Sequence, residues 1–219
     1  PLAWAKNNQY GTLAYHDVVD EAGSIYHQVK TSEQNPKSDI LKAYYPQTIS
    51  KKTLISHFNW LKSNGYNVVS WQDILDSQTG KKTLPDKAVL LTFDDGYESF
   101  YRIVYPLLKE YNYPAVFAVV TSLLDQAPNS MVVFGDTRIA RGAFVTWPQI
   151  KEMSDSGLVE IASHTHNMHR AIKANPGGSA YPAVFSAQYA QGRSESPADK
   201  HQRLEADLKL SAQRIKQHT

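Results

Sequence analysis

Two carboxylates stand side by side at the end of an apolar run. Ala88-Val89-Leu90-Leu91-Thr92-Phe93 leads directly into Asp94, Asp95 and Gly96. A second apolar run, Leu158 to Ala162, discharges into Ser163-His164-Thr165-His166-Asn167-Met168-His169, and a third, Leu13-Ala14-Tyr15, ends at His16. A carboxylate with two neutral imidazoles suits a divalent transition metal that keeps open coordination positions, with ligand bonds of about 2.0–2.2 Å for zinc. On a regular strand Asp94 and Asp95 would point to opposite faces. Gly96 frees the backbone to leave the strand, so that both can turn toward one site. Among the histidines, His164 and His169 are five residues apart, which suits one face of neither a helix nor a strand, so a turn would have to wrap the ion. His166 and His169 are three apart and can share a helical face, which leaves them as an alternative pair.

The elements that must position these groups alternate between helix and strand. Ser50 to Asn64 reads as a helix, with Ser50 as N-cap, Gly65 past its end, and Leu54, Phe58 and Leu61 at helical spacing. Asn67 to Ser70 is a short strand, Trp71 to Ser77 a short helix, and Ala88 to Phe93 a buried strand. Glu98 to Tyr111 is helical and is kinked or restarted at Pro106. Ala115 to Val120 is another strand, Trp147 to Ser156 a helix opened by Pro148, and Leu158 to Ala162 a further strand. Residues 20–47 read as a surface excursion with a small hairpin near Tyr26 to Val29, and residues 170–195 as either a mobile stretch or a functional flap. A last helix starts at Ser196-Pro197, with Leu204, Leu208 and Ile215 as its inward face. This order predicts an α/β fold with a mostly parallel sheet, in which the strands' carboxyl ends share one rim. His16, Asp94, Asp95 and the histidine segment meet at that rim.

Composition narrows the class. The chain has 219 residues, 42% of them hydrophobic, enough to bury a core as one domain spanning 1–219. A net charge of +2, from 23 basic and 21 acidic residues, gives no argument for a nucleic-acid or anionic-membrane partner. Cysteine is absent, which removes thiolate and disulfide chemistry. No apolar run reaches the length of a membrane span. The chain opens on Pro1 rather than Met, which agrees with a removed leader and export.

Thr92-Phe93-Asp94-Asp95-Gly96 and His164-Thr165-His166-Asn167-Met168-His169 resemble the first two motifs of the polysaccharide deacetylases, the NodB-like carbohydrate esterases of family four. The resemblance covers roughly the whole chain. It implies a distorted (β/α) barrel, with Asp94 as general base and with Asp95, His164 and His169 binding one divalent transition metal (zinc, nickel, cobalt or iron). The five-residue histidine interval and Tyr15-His16-Asp17 are similar to the branch acting on poly-β-1,6-N-acetylglucosamine in bacterial biofilm export. So are Val145-Thr146-Trp147, Ser156 to Ile161 and Ala174 to Gly177. That branch implies His16 as general acid. It further implies an N-acetylglucosamine polymer as substrate, contact with exopolysaccharide export machinery, and a periplasmic, outer-membrane or cell-surface location. Tyr97 and Trp147, with Tyr181, are aromatic candidates for stacking on sugar rings. The family's barrel continues past the last helix into an Arg- or Tyr-Pro-Tyr-Gly-containing motif that supports the base. Nothing up to Thr219 supplies that motif, so either the sequence stops short of it or the motif is absent, and the barrel is expected to be short of strands.

Three rival readings remain at this level. The same chemistry serves chitin or peptidoglycan. A non-catalytic glycan-binding relative would bind metal and oligomer without releasing acetate. An unrelated phosphoesterase would use Asp94 and Asp95 to bridge a metal pair.

Overall fold

The computed structural model describes residues 9–20, 47–135 and 137–219. The hairpin expected near Tyr26 to Val29, and nearly all of the expected excursion, lie outside the described residues. The first strand, β1 (Tyr10–Tyr15), runs almost directly into β2 (Asp17–Val19). After β3 (Thr48–Ser50) comes α1 (Lys51–Ser63). Ser50 caps α1 by accepting the Thr53 N–H at 3.0 Å, and Leu54, Phe58 and Leu61 are its buried residues. Then follow β4 (Asn67–Val68), α2 (Trp71–Gln78) and β5 (Ala88–Phe93). The capping box of α2 pairs Ser70 with Asp73.

All six residues of β5 pair in parallel with β1, from Tyr10 opposite Ala88 to Tyr15 opposite Phe93. On the other edge β4 joins at the start of β5, and β6 (Ala115–Val119) joins at Thr92 and Phe93. The sheet continues from β6 to β9 (Val159–Ser163), again in parallel. These five strands form the predicted parallel sheet; among the described residues no pairing closes it into a barrel. Five of the six β5 residues are buried, as a central strand covered on both faces requires.

Behind the strand ends lies a column of aromatic rings. Phe93 stacks on Tyr15 at 5.1 Å and meets Phe100 edge-on at 5.0 Å, and Phe100 stacks on Phe117 at 3.9 Å. Each fully buried Phe contributes about 1.5–3 kcal/mol of burial, so this column fixes where the strands end. Burial pushes the Tyr15 phenol up to about 12, so it stays neutral.

Pro106 has the predicted effect in a specific form. Residues Phe100–Val104 form a single π turn before α3 (Tyr105–Tyr111). Proline cannot donate to the carbonyl four residues back, and the wider turn absorbs the missing bond. The mixed stretch after β6 resolves into α4 (Thr121–Leu124) and an antiparallel hairpin, β7 (Met131–Phe134) with β8 (Thr137–Ala140). Helix α5 (Trp147–Asp155) follows, capped by Thr146 with Gln149.

The expected flap is ordered. It holds β10 (Ala171–Lys173) against β11 (Ala180–Pro182), and β12 (Tyr189–Ala190) against β13 (Arg193–Ser194). The last helix, α6 (Pro197–His218), corrects one expectation. Leu208 is half exposed, and the one fully buried residue of the helix is Ser211. Leu204 and Ile215 do pack inward, as expected, and a polar stripe attaches the helix alongside them. Arg203, Asp207, Ser211 and Arg214 recur at helical spacing, and each is hydrogen-bonded to the body of the protein. No helix among the described residues is long and apolar enough to cross a membrane.

Candidate active site

The carboxyl ends of β1, β5, β6 and β9 share one rim because all four run the same way. Strand pairing extends one residue past each labelled strand. The Asp94 N–H donates to Tyr15 O at 2.9 Å, and the His164 N–H to Val119 O at 2.9 Å. Asp94 therefore leaves the ladder in register with His16, and the His16 Nε2 to Asp94 Oδ2 distance is 4.0 Å. Both side chains are about one-quarter exposed.

The turn that redirects Asp95 begins one residue earlier than the glycine alone suggests. Asp95 itself has φ +75°, and Gly96 follows with φ +86°. A non-glycine residue in the left-handed region is strained, and such strain gathers at functional sites. A Cβ on Gly96 would stand 3.4 Å from Val119 Cβ and Cγ1, so the glycine also serves a close approach of β6. The outcome separates the two carboxylates. Asp94 stays partly exposed, whereas Asp95 turns inward and is 1% exposed.

Asp95 Oδ1 lies 3.3 Å from His164 Nε2 and 3.2 Å from His169 Nε2. It is otherwise a buried oxygen without a hydrogen-bond partner. The three ligand atoms lie within 4.8 Å of one another. Two imidazole nitrogens converging on one carboxylate oxygen suit a cation shared between them. Ligands about 2.1 Å from a tetrahedrally bound ion stand about 3.4 Å apart, so the donor set and its spacing fit a transition metal. Asp95, His164 and His169 thus form a possible metal site, the one such group found among the described residues.

His166 is turned away from that group. Its Nδ1 lies 3.0 Å from Thr121 Oγ1 on α4, which separates the two histidine pairs that spacing left open. Thr165, with φ +71°, provides the turn that lets His164 and His169 face the same point. The hairpin supports the second of them. Phe134 stacks on the His169 ring at 4.5 Å and 9°, and Gly135 N–H donates to His169 O.

The charges follow this geometry. Burial is the main influence on Asp94 and lifts its carboxyl above the usual range, against the pull of His164 and His16. The bond to Asp95 raises His164, while burial lowers His169. Asp17 is buried rather than a free loop residue, and Ser99 Oγ donates to its Oδ1 at 2.7 Å. Burial raises the Asp17 carboxyl.

The two aromatic candidates nearest these motifs are placed elsewhere than expected. Tyr97 is 5% exposed, with its ring stacked on Phe144 at 5.6 Å, so it belongs to the core. Trp147 donates its indole N–H to Asp125, and His218 stacks on the indole ring at 4.2 Å. Tyr97 bridges to Phe144 immediately after the Gly96 turn, and its ring meets Phe134 edge-on at 5.8 Å. Tyr181 and Phe185 are the exposed rings near the site, 51% and 79% exposed. With His164, His169, Met168 and Pro182 they line an apolar cavity of about 510 Å³. Phe185 was not among the sequence candidates, since an isolated phenylalanine within a flap carries no periodic signal.

Comparison with known proteins gives consistent results. A family model described as polysaccharide deacetylase matches residues 81–219. A protein named poly-β-1,6-N-acetyl-D-glucosamine N-deacetylase from Escherichia coli K12 is 38% identical over 204 residues, covering 92% of this chain and 27% of that protein. The chain therefore spans about a quarter of that relative's length. The solved structure of a de-N-acetylase from Aggregatibacter actinomycetemcomitans superposes with a TM-score of 0.82 at 50% identity, over 95% of this chain and 74% of that one. The deacetylase domain of BpsB from Bordetella bronchiseptica gives 0.74 at 46% identity, over 76% and 64%.

Proposed function

The chain belongs to the polysaccharide deacetylases, and from that membership we propose that it hydrolyses N-acetyl groups from a β-linked N-acetylglucosamine polymer, poly-β-1,6-N-acetylglucosamine in particular. The observation that carries the reading is the division between neighbouring carboxylates. Asp95 is buried against His164 and His169, and Asp94 stays partly exposed beside His16. The relatives from E. coli and Aggregatibacter support the reaction class, and the name of the former supports the linkage.

Asp95, His164 and His169 would hold one divalent transition metal, of the zinc, nickel, cobalt or iron kind. When bound, such an ion supplies Lewis acidity toward the amide carbonyl and lowers the pKa of water. The remaining steps belong to the chain's own residues. Asp94 takes a proton from the attacking water as its oxygen bonds to the acetyl carbon. His16, protonated, donates to the sugar nitrogen as the C–N bond breaks, releasing acetate and a free amine. Asp94 and His16, 4.0 Å apart, are close enough for one water to carry the proton from Asp94 back to His16 and close the cycle. The apolar cavity beside the ligands takes the sugar rings, with Phe185 and Tyr181 as stacking faces. Residues 1–219 form the deacetylase domain of this reading. Its polymer is an exopolysaccharide, so the enzyme works after export, in the periplasm or at the cell surface, alongside the export machinery.

The test is acetate release from β-1,6-linked N-acetylglucosamine oligomers by metal-loaded protein, run beside chitin oligomers and peptidoglycan. Turnover confined to chitin or peptidoglycan would move the substrate assignment. Binding without turnover would favour a glycan-binding relative.

A further inference from the structure

We propose that Asp207 is the positioning residue of the metal-binding turn, and that its carboxylate sets how tightly His164 and His169 hold an ion. The inference rests on the reading of Asp95, His164 and His169 as metal ligands.

Asp207 Oδ1 accepts the His166 N–H at 2.8 Å, and its Oδ2 accepts the Asn167 N–H at 2.8 Å. His166 lies two residues after one ligand and Asn167 two residues before the other, so the carboxylate grips the turn at its midpoint. Thr165, at φ +71°, starts the turn that leaves these successive amides facing outward. Consecutive N–H groups arranged in this way make an anion-receiving concavity. In this protein the anion is a side chain from α6.

The carboxylate is itself held firmly. One turn before it, Arg203 donates to Glu195 at 2.7 and 2.8 Å. One turn after it, the fully buried Ser211 lies 2.7 Å from Ser163 Oγ and accepts from Thr121. The turn has other fastenings: within itself, Thr165 N–H donates to Ser163 Oγ and Met168 N–H to Thr165 Oγ1, both at 3.1 Å, and its carbonyls are held by α4. Thr121 N–H donates to Thr165 O at 3.2 Å, and Ser122 N–H to His166 O at 3.0 Å. Loss of Asp207 therefore leaves the turn attached at its ends but frees the two central amides, those of His166 and Asn167. The two imidazoles then no longer have a fixed separation, and a bidentate grip weakens. Supporting groups of this kind typically alter metal affinity by about 10–100-fold.

The experiment titrates metal-free protein with Zn²⁺ and Co²⁺ against a chromophoric chelator, with thermal unfolding of the metal-free form measured in parallel. Asp207→Asn keeps the size but sets an amide NH₂ against a backbone N–H. Asp207→Glu restores a carboxylate. Arg214→Ala releases α6 from Asp125 without touching the turn and serves as control. The expected result is about tenfold or greater loss of affinity in Asp207→Asn, with an altered Co²⁺ absorption spectrum. Partial recovery is expected in Asp207→Glu, and unchanged affinity in Arg214→Ala. Asp207→Asn binding as tightly as the wild type, or Arg214→Ala losing as much affinity as Asp207→Asn, would overturn the inference. A wild-type protein that binds neither ion would instead overturn the metal-site reading beneath it.

Discussion

His16 and Asp94 face each other at 4.0 Å because Tyr15 pairs with Phe93 in the β1–β5 register. The proposed acid and base are thus the next residues along two paired strands. Their separation is set by the sheet itself rather than by a loop.

That relationship makes His16→Ala informative. Its metal content should match the wild type, since His16 is outside the ligand group. Acetate release should fall about 10²-fold or more, the usual scale for losing a general acid. Elemental analysis and an acetate assay on the same preparation check both halves.

The two candidate histidine pairs make opposite predictions. His169→Ala should abolish stoichiometric metal binding. His166→Ala should retain it and cost about 1 kcal/mol of stability through the lost Thr121 contact. Titration with Zn²⁺ ranks them, and a larger loss in His166→Ala would favour the 166/169 pair.

The flap is tied to α6 by an ion pair with a defined pH signature. Arg203 holds the Glu195 carboxyl below its usual 4.5, and the two side chains are only 19% and 10% exposed. A lowered acid pKa contributes stability that is full above the unfolded value and is lost as pH falls through the folded one. The stability advantage of the wild type over Glu195→Gln should therefore be constant above about pH 5 and shrink below about pH 4.5. Denaturant unfolding across that range measures it, and a pH-independent difference would contradict the pairing.

Phe185 is 79% exposed and lines the cavity next to His164 and His169. Phe185→Ala should raise KM for a β-1,6-linked pentamer by about 2–10-fold, the equivalent of one aromatic contact. The kcat value and metal content should hold. A fall in kcat at unchanged KM would place the polymer elsewhere.

Much of this was legible in the residues. β5 and β9 declare themselves as apolar runs that stop at ionisable groups, and Leu54, Phe58 and Leu61 mark α1. On α6, Leu204 and Ile215 were legible as inward positions, but the polar part of its attachment was not, because apolar periodicity is blind to a stripe of Arg203, Asp207, Ser211 and Arg214 that binds by hydrogen bonds. Tyr97 and Trp147 misled for a related reason. Adjacency to a motif says nothing of ring direction, and here one ring turns to Phe144 and the other to His218. The hairpin that braces His169 through Phe134 lies in a stretch of mixed composition, and its purpose appears only once the chain is folded.

The most direct measurement pairs acetate release from β-1,6-linked N-acetylglucosamine oligomers with metal content in Asp94→Asn and Asp95→Asn. The account predicts that both are inactive but differ in metal. Asp94→Asn should keep one ion per chain, as the wild type does, and Asp95→Asn should lose it. Sustained turnover in Asp94→Asn, or undiminished metal binding in Asp95→Asn, would contradict it.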